Sequence, residues 1–188
     1  IWRGTPSEPW LDRLRASTVQ IISGANVFDE RIRAGRLILA TCARELFLPF
    51  AGCTLPGVMG VRGLQDWIKT GGNVSGRRVV VAGSGPLLLA AAATAREHGA
   101  SIAVVAEQAP LSRQRAFATS LWRHPVKLVE AARLRLELAG IAVFDNCWVE
   151  HADATHAHLR RGQLRWQEPY DVLAVGFGGT GGVRTYDF

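Results

Sequence analysis

The sequence predicts an α/β fold of the doubly wound type, in which helices cover a parallel sheet. The strongest indication is the run from Arg77 to Pro110, "RRVVVAGSGPLLLAAAATAREHGASIAVVAEQAP", where an apolar strand, a glycine turn, a helix and a second apolar strand follow one another. Further nearly all-apolar runs lie at Leu37–Ala40 and in "DVLAVGFG". Because such strands are usually buried on both faces, these runs predict other members of the same sheet.

The chain has 188 residues, a length that suits one globular domain or one domain with an appendage. Its net charge is +6. The arginines are scattered, so no basic patch predicts a nucleic-acid partner. No apolar run is long enough to span a bilayer, so no membrane span is expected. Three cysteines stand far apart without a CxxC pair, which predicts free thiols in a reducing cytoplasm.

Before the glycine turn, the chain predicts short elements and a linker. "SEPWLDRLRAS" predicts a helix, because Ser7 can cap it and Pro9 suits its first turn. "LPFAGCTLPGVMG" predicts the linker, because proline and glycine interrupt regular structure. The other elements predicted here are strands in "TVQII", "NVFDE" and "RIRAGRLILA" and a helix in "GLQDWIKT".

After the turn, helices and strands alternate. Leu87–His98 predicts a helix that ends at Gly99, and Ile102–Ala106 predicts the next strand. "LSRQRAFATSLWRH" predicts a helix capped by Ser112. "PVKLVEAARLRLELAG" predicts another, with apolar residues on one face at Leu128, Val129, Ala132 and Leu136. Strands are predicted in "IAVFDNCWVE", in "HLRRGQLRW" with a turn at Gly162, and in "DVLAVGFG".

The turn Gly83-Ser84-Gly85 predicts a binding site for a pyrophosphate. The first glycine allows a tight turn, and the second lets the pyrophosphate approach the backbone closely. The helix that begins at Pro86 and Leu87 then presents unpaired N–H groups and the positive end of its dipole. Leu88 stands where a third small residue is usual, so the dinucleotide-binding fingerprint is incomplete.

Glu107 completes the predicted site at the end of the next strand. A carboxylate there accepts hydrogen bonds from the two hydroxyls of an adenine ribose and repels a 2′-phosphate, which favours NAD over NADP. Gln108 adds no charge, and Arg113 and Arg115 are within reach of a nucleotide phosphate in this interpretation. The alternative interpretation is an exposed loop acid beside an ordinary turn, with solvated arginines on the following helix.

Other polar side chains predict neither a metal site nor a catalytic site. His156 and His158 are two residues apart near a hairpin, and His151 precedes them. No further ligands have metal-binding spacing, so no metal site is predicted. No arrangement of serine, histidine and aspartate is recognisable either, and no catalytic residue is assigned.

Four segments together resemble one protein family: "GRLILATCARELFLPFAGCTLPGVMG", "RRVVVAGSGPLLLA", "WRHPVKLVEAARLRLELAGIAV" and "DVLAVGFG". They are similar to the FAD/NAD(P)-binding flavoproteins of the pyridine nucleotide–disulfide oxidoreductase type. Within this type they are most similar to the FAD/NAD-binding subunits of opine dehydrogenase, hydrogen cyanide synthase and related amine or imino-acid dehydrogenases. The likeness extends from Ala34 to about Gly178.

The resemblance implies a Rossmann-like NAD(P)-binding domain, with a parallel sheet, helices and a β-hairpin layer, plus a remnant of an FAD-type domain. Thr41 and Cys42 match the turn that leaves the FAD domain, with cysteine in place of the usual glycine. Val175 and Gly176 match the turn that returns from the NAD domain. No FAD-binding GxGxxG precedes Thr41, so the chain resembles the middle of a family member.

The resemblance also implies how the chain is organised and what it does. It predicts a partial FAD-domain-like segment at residues 1–48, a linker and short helix at 49–74, a dinucleotide-binding domain with its return strand at 75–178, and a tail at 179–188. The chain would be part or a subunit of a flavin-dependent oxidoreductase, similar to an amine, imino-acid or opine dehydrogenase.

The cofactor implied at the Gly83 loop is NAD, with FAD bound only if the missing parts of the flavin domain are supplied. The isolated chain is then expected to be inactive. Its expected partners are a dinucleotide and either other subunits of a dehydrogenase complex or the rest of a flavoprotein. The alternative is a non-catalytic nucleotide-binding or assembly module of a multisubunit dehydrogenase.

Overall fold

The computed structural model describes residues 8–20, 22, 35–39, 44–120, 129, 133–180 and 184–187. The chain divides into two compact units: the smaller comprises residues 1–38 and 185–188, and the larger comprises residues 39–184. The described helices are α1 Glu8–Arg15, α2 Val61–Lys69, α3 Leu87–Glu97 and α4 Leu111–Ser120. Residues 133–137 are also helical.

In the second half of the chain, the described strands follow the predicted order. In the first half, they are shorter than predicted. They are β1 Arg36–Leu39, β2 Arg44–Glu45, β3 Val58–Gly60, β4 Arg78–Gly83, β5 Ser101–Glu107, β6 Ala142–Asp145, β7 Cys147–Ala152, β8 His156–Arg161, β9 Leu164–Pro169, β10 Val172–Gly176, β11 Gly179–Thr180 and β12 Arg184–Asp187. β1 pairs with β12, and β2 pairs with β11, in two small sheets.

The centre of the larger unit is a five-stranded parallel sheet in the order β3-β10-β4-β5-β6. Every residue of β10 is buried, and so is β4 apart from Arg78. These strands consist of valine, leucine, alanine and glycine, which suit a strand covered on both faces. Gly83 lies opposite Gly176 in the pairing of β4 with β10, so the two strands end together at the glycine turn. The predicted α/β fold is confirmed.

Two layers cover this sheet. Helices α2 and α3 pack on one face, where Leu64 and Leu88 are buried among the valines of β4. On the other face lies a three-stranded antiparallel sheet, β7-β8-β9, whose Leu159 is buried against alternate residues of β4 and β5. Burial of one such leucine stabilises the fold by about 1.5–3 kcal/mol. The antiparallel sheet is the predicted β-hairpin layer, which is also confirmed.

Three strand predictions differ from the structure. Thr18–Gln20 have no regular structure. The run Leu37–Ala40 was expected in the parallel sheet, whereas β1 pairs with β12 and Ile38 is 64% exposed. "IAVFDNCWVE" forms two strands, because Asn146 has a φ of 50° and interrupts the extended backbone. The predicted strand "NVFDE" lies outside the described residues.

Two helix predictions are also wrong in part. Ser112 lies within α4, which begins at Leu111, so it does not cap the helix from outside. Leu136 was expected on a buried face, but it is 76% exposed, whereas Leu138 just after the helical residues is 3% exposed. The core contact is therefore made where the chain leaves the helix, a feature that helical periodicity does not describe. Leu128 and Ala132 lie outside the described residues.

No helix in the described part of the chain is long and apolar enough to cross a membrane. Among the same residues, no group of three or more His, Cys, Asp or Glu side chains is arranged to hold a metal ion. Cys53 and Cys147 carry free thiols. Burial raises the pKa of the Cys147 thiol to about 11, so this buried group stays protonated at neutral pH and packs as a small apolar side chain.

Asp171 and Arg78 join the beginnings of the two central strands. The Asp171 carboxylate accepts hydrogen bonds from the Arg78 backbone N–H at 2.7 Å and from its guanidinium at 3.0 and 3.2 Å. These bonds lower the pKa of Asp171 to about 2. The Asp171 carboxyl must be ionised to accept these hydrogen bonds. Their contribution to the stability of the fold is therefore present above the pKa of Asp171 in the unfolded chain, about 4, and is lost as the pH falls towards 2.

We expect Asp171→Asn to lower stability at neutral pH and to reduce the loss of stability on acidification between about pH 4 and pH 2. Urea unfolding at a series of pH values measures both effects. Asp66→Asn, which changes a carboxylate on α2 outside this pair, is the control. If the stability of Asp171→Asn fell as steeply between about pH 4 and pH 2 as that of the parent protein, the assignment of this pH dependence to Asp171 would be refuted.

Candidate functional site

The glycine turn is built against the end of β10. Gly83 has a φ of 142°, and a Cβ at this position would overlap the carbonyl group of Gly176. The Ser84 N–H donates to the same carbonyl oxygen at 2.7 Å. Gly83 is therefore required by the close approach of β4 and β10 at their carboxyl ends. The predicted residue Gly176 supports the turn through its backbone, whereas Val175 is fully buried in the core.

Gly85 and Glu107 are joined by a direct hydrogen bond. The Gly85 N–H donates to Oε2 of Glu107 at 2.9 Å, and the Ala109 N–H donates to Oε1 of the same carboxylate at 2.9 Å. Glu107 thus connects the glycine turn with the loop that follows β5. A carboxylate has about four acceptor positions, so each oxygen can still accept a hydrogen bond from a ligand hydroxyl.

The free amides of this region lie at the start of α3, not in the glycine turn itself. The N–H groups of Ser84 and Gly85 have internal partners, and Pro86 has no N–H. Among the described residues, the amides of Leu87 and Leu89 in the first turn of α3 have no hydrogen-bond partner. The donors available to an anion are thus at the helix N-terminus, where the helix dipole also favours negative charge.

A pocket of about 320 Å³ lies beside the turn. Gly85 is open to it: its φ is 104°, and a Cβ there would meet no atom within 4 Å. The pocket is bounded by the turn, by Glu107 and its loop, by one side of α4 and by one residue beyond α4. The lining residues are Ser84, Gly85, Pro86, Leu89, Glu107, Ala109, Arg113, Gln114, Phe117, Ala118 and Arg135.

Several predicted residues meet at this pocket, and others do not. Ser84, Gly85, Pro86, Glu107 and Arg113 line it. Gln108 does not, although its N–H donates to the Gly83 carbonyl at 2.6 Å and helps to hold the turn. Leu87 packs against the core beneath α3. Thr41 and Cys42 lie outside the described residues, so their flavin-side role stays a prediction.

Sequence reasoning missed six of the lining residues, which are Leu89, Ala109, Gln114, Phe117, Ala118 and Arg135. The spacing of Arg113, Gln114, Phe117 and Ala118 places them on one side of α4 as i, i+4 pairs, a signal that was available in the sequence. Arg135 comes from a separate helical stretch, and only the tertiary structure brings it to the pocket.

The histidines noted in the sequence form a separate cluster on the antiparallel sheet. The rings of His151 and His158 stack with centroids 3.8 Å apart. Nε2 of His158 lies 2.9 Å from Oδ2 of Asp153, and this contact lowers the pKa of the Asp153 carboxyl. Thr155 and His156 donate backbone N–H bonds to the same carboxylate, so Asp153 organises the turn between β7 and β8.

Comparison with known proteins gives matches in sequence and in structure, although no protein-family model matches the chain. The HcnB subunit of hydrogen cyanide synthase from Pseudomonas protegens is 34% identical over 116 residues, which are 61% of this chain and 25% of that protein. One of the subunits of opine oxidase from Rhizobium meliloti is 47% identical over 57 residues, which are 30% of this chain and 12% of that protein. The match thus spans about a quarter of the length of the cyanide synthase protein.

Solved structures show the same fold. The ferredoxin reductase of the CYP199A2 system from Rhodopseudomonas palustris has a TM-score of 0.50 and 25% identity, and the match covers 79% of this chain and 35% of that one. The 6-hydroxypseudooxynicotine amine oxidase of Pseudomonas geniculata has a TM-score of 0.53 and 18% identity, with 78% of this chain and 21% of that chain covered.

The parallel sheet, its helices and the glycine turn define a Rossmann-type α/β fold. The chain is similar to the hydrogen cyanide synthase and opine oxidase subunits over part of their length, and it shares its fold with the two solved structures.

Proposed function

We propose that the pocket beside Glu107 binds the adenosine half of an NAD-type dinucleotide, and that the chain supplies the NAD-binding domain of a flavin-dependent oxidoreductase. The observation that carries this proposal is the Glu107 carboxylate, which bridges the Gly85 and Ala109 amides in the lining of an otherwise largely apolar pocket. Its remaining lone pairs are available for two ribose hydroxyls.

Each part of the adenosine half has a matching group in this pocket. The free amides of Leu87 and Leu89 suit a pyrophosphate at the N-terminus of α3. The side chains of Leu89 and Phe117 offer an apolar surface for the adenine ring. Once bound, a nicotinamide ring accepts or supplies a hydride, and the role of this chain is to hold and orient the adenosine end.

The names of the relatives suggest the wider reaction. The matched proteins are one component of hydrogen cyanide synthase, one component of opine oxidase, and an amine oxidase. By analogy, we propose a substrate with an oxidisable carbon–nitrogen bond, and a complex in which other subunits or other parts of the protein supply the flavin.

A second candidate function is a non-catalytic module that holds an adenine nucleotide while a partner carries out the oxidation. Two observations favour it. The pocket lining contains no histidine or cysteine among the described residues, and its carboxylate, Glu107, already holds the Gly85 and Ala109 amides. Its volume of about 320 Å³ is at the small end of ligand sites, which suits an adenosine better than a whole dinucleotide.

We expect the purified chain to bind NADH, and Glu107→Ala to weaken that binding by about tenfold to a hundredfold. Charged hydrogen bonds contribute about 1.5–3 kcal/mol, and about 1.4 kcal/mol corresponds to a factor of ten in affinity. Calorimetric titration with NADH and with ADP measures the loss. Both ligands carry the adenosine ribose, so both should lose affinity equally in Glu107→Ala. In the parent chain, tighter binding of NADH than of ADP supports the dinucleotide, and equal binding supports the non-catalytic module.

Glu97→Ala is the matched control for this titration, because it removes an exposed carboxylate from the end of α3 and leaves the pocket unchanged. Failure of the parent chain to bind either ligand, or unchanged affinity in Glu107→Ala, would contradict the proposed function.

A further inference from the structure

We propose that Gln114 is a positioning residue, which acts through Ala109 on the Glu107 carboxylate and thereby sets how strongly the pocket recognises ribose hydroxyls. Gln114 lines the pocket from α4, but the proposed function gives it no role. This inference rests on that function, because it concerns the ribose contact assigned there to Glu107. It adds a residue that determines specificity without itself contacting the ribose.

Two hydrogen bonds connect the Gln114 side chain with the Glu107 carboxylate. Nε2 of Gln114 donates to the Ala109 carbonyl oxygen at 2.9 Å, and the Ala109 N–H donates to Oε1 of Glu107 at 2.9 Å. Both have the length of an ordinary N–H···O bond, and both are partly shielded from solvent. Helix α4 is thus connected, through one residue of the loop after β5, to the carboxylate in the pocket.

Gln114 provides the shorter of the two hydrogen bonds that the Ala109 carbonyl accepts from described residues. The other donor is the backbone N–H of Asn146 at 3.4 Å, which is beyond the usual length of about 2.7–3.2 Å. Asn146 has a φ of 50°, in the left-handed region that residues other than glycine rarely adopt. Gln114 is therefore the stronger support of the Ala109 backbone on this side.

The position of Ala109 matters because the Glu107 side chain has several rotatable bonds. The Gly85 amide holds Oε2 and the Ala109 amide holds Oε1, so the plane of the carboxylate is set before a ligand arrives. An acceptor that is ordered in advance loses less conformational entropy on binding. Without Gln114, the Ala109 amide shifts, and the two ribose hydroxyls meet a less ordered carboxylate.

A direct contact between Gln114 and the nucleotide is the competing explanation, and it predicts a different pattern of affinities. Nε2 of Gln114 already donates to Ala109, which favours the indirect role. A direct contact would strengthen the binding of every adenosine ligand, whereas an effect through Glu107 is confined to ligands with ribose hydroxyls. A ribose and a dideoxyribose ligand therefore distinguish the two explanations.

Titration calorimetry with 5′-AMP and with 2′,3′-dideoxyadenosine 5′-monophosphate, which lacks both hydroxyls, tests this inference. We expect the parent chain to bind 5′-AMP about tenfold or more tightly than the dideoxy probe. In Gln114→Leu, this ratio should fall to about threefold or less, with the affinity for the dideoxy probe unchanged. In Glu107→Ala, the ratio should fall to about one, and the further substitution Gln114→Leu should not change it, because both residues act through the same carboxylate.

Gln163→Leu is the matched control, because Gln163 is exposed in the turn between β8 and β9 and does not line the pocket. Its affinity ratio should equal that of the parent. Two-dimensional NMR of the free ¹⁵N-labelled chain gives a second readout. The Ala109 amide signal should move in the same direction in Gln114→Leu and in Glu107→Ala, since both weaken its bond with the carboxylate, and should stay in place in Gln163→Leu.

The possible outcomes separate this inference from the proposed function. If the parent distinguishes the two probes and Gln114→Leu distinguishes them equally well, Gln114 does not act on Glu107 and only this inference is overturned. Equal losses for both probes in Gln114→Leu would show a direct contact, which also overturns it. If the parent binds neither probe, or does not distinguish them, the proposed role of Glu107 fails together with the inference.

Discussion

Gly83→Ala is expected to destabilise the larger unit by roughly 2–6 kcal/mol, as the sum of backbone strain and overpacking. The new Cβ would overlap the Gly176 carbonyl, and alanine disfavours a φ of 142°. Neither strand can move aside easily, because Val79–Gly83 of β4 pair with Val172–Gly176 of β10 and all these residues are buried. A total stability of about 5–15 kcal/mol leaves little margin for such a loss.

Thermal unfolding followed by circular dichroism measures this effect. For a unit of this size, 1 kcal/mol shifts Tm by about 2–4 °C, so a fall in Tm on the order of 10 °C is expected. Gly71→Ala is the matched control, because Gly71 also has a positive φ, 97°, but a Cβ there meets no atom within 4 Å. Equal shifts in the two variants would mean that the contact with Gly176 does not govern the turn.

Gly85→Val is expected to reduce nucleotide binding by about a hundredfold or more while leaving most of the fold intact. Gly85 differs from Gly83 in that its Cβ position is open, so the branched side chain extends into the space proposed for the ligand. Its φ of 104° also disfavours a β-branched residue, so some loss of stability accompanies the loss of binding.

Gly71→Val separates the two effects of Gly85→Val. Both glycines have a similar positive φ and open space around them, but only Gly85 lines the pocket. Both variants should therefore lose similar stability, and only Gly85→Val should lose affinity for NADH in a calorimetric titration. Parent-like affinity in Gly85→Val would show that the ligand does not lie against this turn.

The sequence was sufficient for the arrangement of strand, glycine turn, helix and strand, because that signal is local. The two strands are rich in valine and alanine, the helix consists largely of leucine and alanine, and glycines separate strand from helix. Few other secondary structures are compatible with this sequence. Leu37–Ala40 has a similar apolar composition but does not join the parallel sheet. Apolar composition alone therefore identified a strand there, and it did not identify the partner of that strand.

The site was predictable only in part, for a related reason. Glu107 could be recognised from its position at the end of the second strand. Its hydrogen bonds with the Gly85 and Ala109 amides could not be predicted, because they depend on the conformation of the Glu107 side chain. The Gly85 and Ala109 amides are therefore occupied by this carboxylate. Arg135 is distant in sequence from the turn, and no local pattern places it at the pocket.

The most direct test of the central claim is a titration of the ¹⁵N-labelled chain with NADH, followed by two-dimensional NMR. The proposed site predicts saturable shifts in the amide signals of Gly85, Leu87, Ala109 and Phe117, with the signals of His151 and His158 unchanged. Shifts confined to the histidine cluster, or no saturable shift anywhere in the chain, would contradict the claim that the glycine turn holds a dinucleotide.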